Sequence, residues 1–182
     1  MKQHPKQIAA YNMANEYIGL TEIKGTLHEE EIVQFFADVG HSWVKDDETA
    51  WCASFVGAML ERSGLGSTRK LNARSYIDWG EEVDLEDAKA GDVVIFSRGD
   101  PNGWQGHVAF YVSHGATKIV VLGGNQKNAV NVQPYLRNRL LSVRRMPAPA
   151  APPKSITPKA GGGIAALVSA FLNLIGGLFR GK

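Results

Sequence analysis

A chain of 182 residues can bury one proper core but would leave two full domains marginal, so one globular domain with an appendage is the expectation. Hydrophobic residues at 44% and charged residues at 21% exclude collagen-like and disordered classes. Four of the twenty cations, Lys154, Lys159, Arg180 and Lys182, lie beyond Ala150 where no acid stands; the tail therefore carries +4, and the body, with sixteen cations against eighteen acids, −2.

The first ten residues begin basic but contain no apolar stretch, and Asn12, Asn15 and Glu16 break up the next few positions, so no secretory signal is read. Residues 6 to 18 place Ile8, Ala9, Tyr11, Met13 and Tyr17 in an amphipathic pattern that predicts a helix ending near Gly19. A second helix is expected over 29 to 39, with Glu29, Glu30 and Glu31 at its positive end, Ile32, Val33, Phe35 and Phe36 buried, and Gly40 as its stop. Residues 49 to 63 are almost wholly apolar or small and predict a central buried helix closed by Gly64. A short helix over 72 to 79 precedes an acidic loop through Glu81, Glu82, Asp84, Glu86 and Asp87.

Beyond this loop the period changes. Residues 92 to 97, 107 to 113, 118 to 122 and 140 to 145 are rich in Val, Ile, Phe and Tyr between Gly, Asn and Pro, which predicts four strands. Helices followed by closely connected strands indicate an α+β domain, with a helix packed on an antiparallel sheet. The domain should end near Met146, followed by a Pro- and Gly-rich linker over 147 to 163 and a hydrophobic, cation-flanked helix over 164 to 182.

The single cysteine, Cys52, excludes an intrachain disulfide and a Cys-based zinc site; it is either a small buried hydrophobe or a reactive thiol. It falls in the first turn of the predicted central helix, where unpaired N–H groups and the helix dipole favour an anion and depress a thiol pKa. His107 follows the loop Trp104-Gln105-Gly106 at the entry to a strand, where its imidazole can face that helix start and take the thiol proton. Asn125, after the Gly123-Gly124 turn, is positioned to orient the ring through its amide oxygen; Gln126, facing the other way, would serve equally, and a plain Gly-Gly-Asn turn is the third option.

Trp51-Cys52-Ala53-Ser54-Phe55-Val56, Gly91-Asp92-Val93-Val94-Ile95-Phe96, Gly106-His107-Val108-Ala109-Phe110-Tyr111 and Gly123-Gly124-Asn125-Gln126 together resemble the NlpC and CHAP group of cell-wall cysteine peptidases. The resemblance covers residues 5 to 146 and is closest to a subgroup common in bacteriophage and prophage lysis genes. It implies a papain-like α+β fold and an endolysin-like peptidoglycan hydrolase that cleaves a stem-peptide or amide bond without a cofactor. By that resemblance Cys52 is the nucleophile, His107 the base and acid, and Asn125 the orienting residue, with Trp51, Trp104, Gln105 and Gln126 as substrate-binding candidates. Two departures stand out: Gly123 occupies a position that is acidic in many CHAP enzymes, and Asp46, Asp47 and Glu48 stand where papain-like enzymes carry an oxyanion glutamine.

Such an enzyme would be made in the bacterial cytoplasm and act as a monomer on periplasmic peptidoglycan. An antibacterial effector amidase delivered to rival cells, and a phage structural or wall-binding module with a spent site, are the competing readings. His28, His41 and His114 lack zinc-hydrolase spacing, Asp46-Asp47-Glu48 lacks the ligand pattern of a calcium loop and reads as a solvated acidic loop, and no basic aromatic stripe suggests nucleic acid. Residues 160 to 179 are uncharged, with Lys159, Arg180 and Lys182 at the ends suited to anionic membrane lipid or lipopolysaccharide; the apolar part, of about sixteen residues, is borderline for spanning a bilayer. Deleting residues 150 to 182 is expected to abolish co-sedimentation with anionic liposomes; equal binding by the truncated protein would refute a membrane role for the tail.

Overall fold

The computed structural model describes residues 1–150. Residues Met1–Pro149 form one compact unit; the expected linker beyond Ala150 and the helix expected over 164 to 182 lie outside the described residues. Helix α1 (Pro5–Glu16) begins with Pro5 at its first turn, and His4 Nδ1 accepts from the Lys6 N–H. Its buried face is Gln7, Ala10 and Ala14, not the expected Ile8 and Ala9, which are exposed. The small residues let α1 lie close against its neighbours, and Gln7 is bonded at both ends of its amide: its Nε2 donates to Gly91 O at 3.0 Å and its Oε1 accepts from Met146 N at 2.8 Å.

Helix α2 (Glu30–Asp38) buries Ile32, Phe35 and Phe36, while Val33 stays partly exposed. Helix α3 (Cys52–Arg62) is buried from Cys52 through Leu60, as its all-round apolar sequence requires. Arg62 near its end clamps α2, with guanidinium nitrogens 2.6 Å from Glu31 and 2.6 Å from Asp38. The expected short helix is a 3-10 segment, Ala73–Asp78.

Six strands, not four, make the sheet: β1 (Glu81–Glu82), β2 (Val93–Ser97), β3 (Gly106–His114), β4 (Lys118–Gly123), β5 (Asn131–Leu136) and β6 (Leu140–Arg145), in the order β1-β6-β2-β3-β4-β5 with every pairing antiparallel. The unforeseen β5 carries Gln133 and Pro134 and exposes alternate residues, and a proline is tolerated because the strand lies at the sheet edge. Val93, Ile95, Val108, Phe110 and Leu122 pack with the helices, whereas Val94, Phe96, Ala109, Tyr111, Ile119 and Val121 form a second cluster. The rings of Phe96, His107 and Tyr135 come from β2, β3 and β5, yet Tyr135 stacks 4.9 Å from each of the other two. Neighbouring strands are about 4.8 Å apart, so the sheet must curl strongly to bring these rings together.

One buried ion pair ties the ends of the domain together. Arg145 on β6 donates to Asp92 through Nε at 2.8 Å and Nη2 at 2.5 Å, and also reaches the carbonyls of Met1 and Asp87. Asp92 in turn accepts from Gln3 Nε2 and Lys89 N. Pro147 and Ala148, expected in the linker, pair instead with Gln3 and Lys2. Asp92→Ala leaves the Arg145 charge buried and unpaired, and is expected to cost about 3–5 kcal/mol of unfolding free energy in urea titration.

Candidate active site

Cys52 is the first residue of α3, coming directly after Trp51, whose side chain makes no capping bond. Cys52, only 5% exposed, lines a groove of about 190 Å³ together with Asn72, Ala73, Arg98, Trp104 and Gln105. The helix start does not decide the thiol's state. Burial pushes its pKa up, and this outweighs the downward pull of the Val108 N–H, the Arg98 charge and the N–H groups of the first turn. Cys52 thus rests as a thiol rather than the depressed thiolate that its helix position alone predicts.

His107 is fully buried at the entry to β3. Burial, reinforced by the Arg98 charge and opposed by the Gln126 bond, lowers its pKa from 6.5 to about 3, so the ring is neutral at pH 7. Its tautomer is set by the neighbours. Gln126 Nε2 faces three acceptors, Gly123 O at 3.2 Å, Asn131 O at 2.6 Å and Asn131 Oδ1 at 3.0 Å. The amide oxygen therefore points at the ring, 3.2 Å from His107 Nε2, which must carry the proton. The lone pair is left on Nδ1, and Arg98 Nη2, a donor only, sits 3.2 Å from it.

The orienting contact expected of Asn125 thus falls on Gln126. Asn125 occupies a left-handed turn position, φ 54°, and makes no side-chain hydrogen bond among the described residues. This turn swings the next side chain inward, and Asn131 Nδ2 fastens it by donating to Gln126 O at 2.7 Å. Gln126, only 2% exposed, bonds the ring and is not among the residues that line the groove.

Trp51 is not a groove residue either. It is fully buried against Phe35 and Phe55, and its Nε1 donates to Glu22 at 2.7 Å. Trp104, 74% exposed, and Gln105 line the groove that holds Cys52.

Two participants escape sequence reasoning. Arg98 lies just past β2 and is the one cation between Ser97 and His107, a position that marks it only once the strand end is known. Asp47, expected in a solvated loop, is fully buried: its carboxylate accepts from Ile23 N, Glu29 N and His28 Nδ1. Burial raises its pKa, but these bonds prevail and hold it below the usual range. Asp46 Oδ1 accepts from Thr49 N, so the supposed acidic loop organises the approach to α3.

The family model described as the CHAP domain matches residues 44–125, the stretch from before Cys52 through His107 to Asn125. No curated protein matches the sequence. Among solved structures, a mutated form of the Resuscitation Promoting Factor Interacting protein RipA superposes with TM-score 0.49 and 18% identity, covering 78% of this chain and 62% of its own. NlpC1 of Trichomonas vaginalis gives TM-score 0.49 and 17% identity over 80% of this chain and 45% of that one. RipD of Mycobacterium tuberculosis, described as a non-catalytic NlpC/p60 domain protein adapted to peptidoglycan binding, gives 0.45 and 16%, covering 77% and 95%. The chain thus spans less than two thirds of the first two structures.

The neutral imidazole has a pH signature. With a folded pKa near 3 and an ordinary value of 6.5, the unfolded chain takes up a proton in that window that the folded one refuses. Stability is full above about 6.5 and falls as the pH drops towards 3. Between pH 7 and 4 the wild type is expected to lose on the order of 3 kcal/mol more than His107→Gln, measured by urea unfolding; equal losses would refute the buried neutral ring.

Proposed function

We propose that this domain is a peptidoglycan hydrolase that cleaves a stem-peptide or amide bond, with Cys52 as nucleophile, His107 as base and Gln126 as the residue that orients the ring. The observation that carries the reading is the locked tautomer: Nε2–H on Gln126 leaves the Nδ1 lone pair at Arg98, whose side chain lines the same groove as Cys52. In this scheme Nδ1 takes the proton from the Cys52 thiol, and the thiolate attacks the carbonyl carbon. The Cys52 N–H at the helix start donates to the developing oxyanion. The imidazolium then protonates the leaving amine as the C–N bond breaks, and a water, deprotonated by the same ring, hydrolyses the thioester. Every step of this scheme is carried by side chains, the helix-start N–H and water.

The wider role that fits is endolysin-like: synthesis in a bacterial cytoplasm and action in the periplasm, with the cationic, apolar segment 164 to 182 engaging membrane lipid or lipopolysaccharide on the way. An effector amidase delivered to rival cells would use the same site. One observation favours a second reading, a wall-binding module without turnover: both ring nitrogens of His107 are bonded, and neither bond is to the Cys52 sulfur.

Turbidity loss of purified sacculi, with mass spectrometry of released fragments, separates these readings. Cys52→Ala and His107→Ala are expected to lower the rate at least about a thousandfold, and Gln126→Ala about a hundredfold or more through ring misorientation. Asn125→Ala should stay within about threefold, since that side chain supports nothing in the ring's environment. Undiminished lysis by Cys52→Ala would overturn the proposal; sacculus binding without any release of fragments by the wild type would favour the binding module.

A further inference from the structure

The lone pair that must accept the thiol proton is already occupied. Arg98 Nη2 lies 3.2 Å from His107 Nδ1, and a guanidinium is a donor only, so while this bond lasts Nδ1 cannot take a proton from Cys52. The ring itself is held still, with Gln126 and Asn131 behind Nε2 and the Tyr135 ring stacked on its face at 4.9 Å and 10°. Arg98, in contrast, is exposed and sits in the loop after β2. Freeing the base therefore means moving Arg98, not His107.

The chemistry that would move it is legible in the groove. A guanidinium offers five N–H donors and pairs best with a carboxylate, in a bidentate, charge-assisted geometry far stronger than one bond to a neutral imidazole. Arg98 has no carboxylate partner among the described residues. Beside the same groove, Arg74 donates only to the backbone carbonyls of Gln105 and Asp100, so its charge is likewise uncompensated. The cleft next to Cys52 thus carries an unpaired cation in its lining and a second one beside it, and fits an acidic peptide.

We propose that Arg98 is the specificity and positioning residue of this site: a substrate carboxylate adjoining the scissile bond pairs with its guanidinium, draws it off Nδ1 and so releases the base beside Cys52. The inference rests on the hydrolase reading and narrows it to substrates with a free carboxylate at that position. An amidated substrate supplies no counter-charge, leaves the Arg98–His107 bond in place and is turned over slowly. Discrimination comes from the same contact that switches the site on, so it is expressed in kcat as well as KM.

Two measurements test this. The first compares kcat/KM on stem-type peptides alike except for a carboxylate or a carboxamide beside the scissile bond. The wild type is expected to prefer the carboxylate by about tenfold or more, and Arg98→Ala to discriminate by less than about twofold while accepting the carboxamide at least as well as the wild type. Retention of the wild-type ratio by Arg98→Ala, or equal loss on both peptides, would overturn the proposal. The second tracks the His107 ring nitrogens by ¹⁵N NMR in Cys52→Ala protein titrated with N-acetyl-alanyl-D-glutamate and with its diamide. The acid should shift the Nδ1 resonance and the diamide should not; no response to the acid refutes the latch. This arm needs no turnover, so a shift with an inert wild type sinks the hydrolase reading alone, and active wild type without a shift sinks the latch alone.

Discussion

The site depends on how closely α3 can approach the end of β4, and Gly124 sets that distance. A Cβ there would lie 2.4 Å from Trp51 Cζ3 and 2.7 Å from Phe55 Cβ, separations that real atoms do not adopt. Without one, the two aromatic side chains of the α3 start lie directly on the turn after β4. Trp51 therefore serves as a spacer between helix and sheet, anchored by Glu22 and covered by Phe35. The consequence is positional: Cys52, next in the chain, is delivered to the Val108 N–H and to the groove lined by Arg98 and Gly106. The same turn, passing through Asn125 at φ 54°, aims Gln126 back at the imidazole.

Burial then determines the electrostatics. A helix start favours a thiolate by an amount that falls off within the first turn, whereas loss of water opposes charge on both the thiol and the ring. Burial raises Cys52 and lowers His107, so an uncharged pair is the resting state. Arg98 acts on both groups, favouring the thiolate but disfavouring the imidazolium. A carboxylate brought to Arg98 would relieve the second effect at the moment a base is needed, which links substrate charge to the state of the site.

Buried carboxylates hold the frame around this centre. Asp92 joins β2 to Arg145 on β6 and, through Gln3, to the N-terminal segment; Asp47 joins the loop at Ile23 to the start of α2. Both are ordinary acids in the sequence. Asp47 lies in a run of three acidic residues, a pattern that normally marks solvent, and nothing local separates it from Glu48, which is exposed. The backbone donors that satisfy it come from residues 18 and 24 positions earlier, so its burial is a long-range fact.

Local patterning by itself determined a good deal: three helices with their glycine stops, four of the six strands to within a residue or two, the α+β class, and Cys52 at a helix start preceding His107 at a strand entry. These are properties of periodicity and of residue types with strong backbone preferences, and they act over a few neighbours. It did not distinguish Asn125 from Gln126, because a single left-handed residue decides which of two adjacent amides faces the ring. Nor did it reveal β5, whose Pro134 and alternating exposure make sense only at a sheet edge, or the buried state of Trp51, which depends on a glycine 73 positions away. Arg98 belongs with these: it matters through a lone pair that only the curled sheet and the Gln126 network bring to it. Tertiary structure decided such points because hydrogen-bond partnership and desolvation depend on groups brought together across the fold.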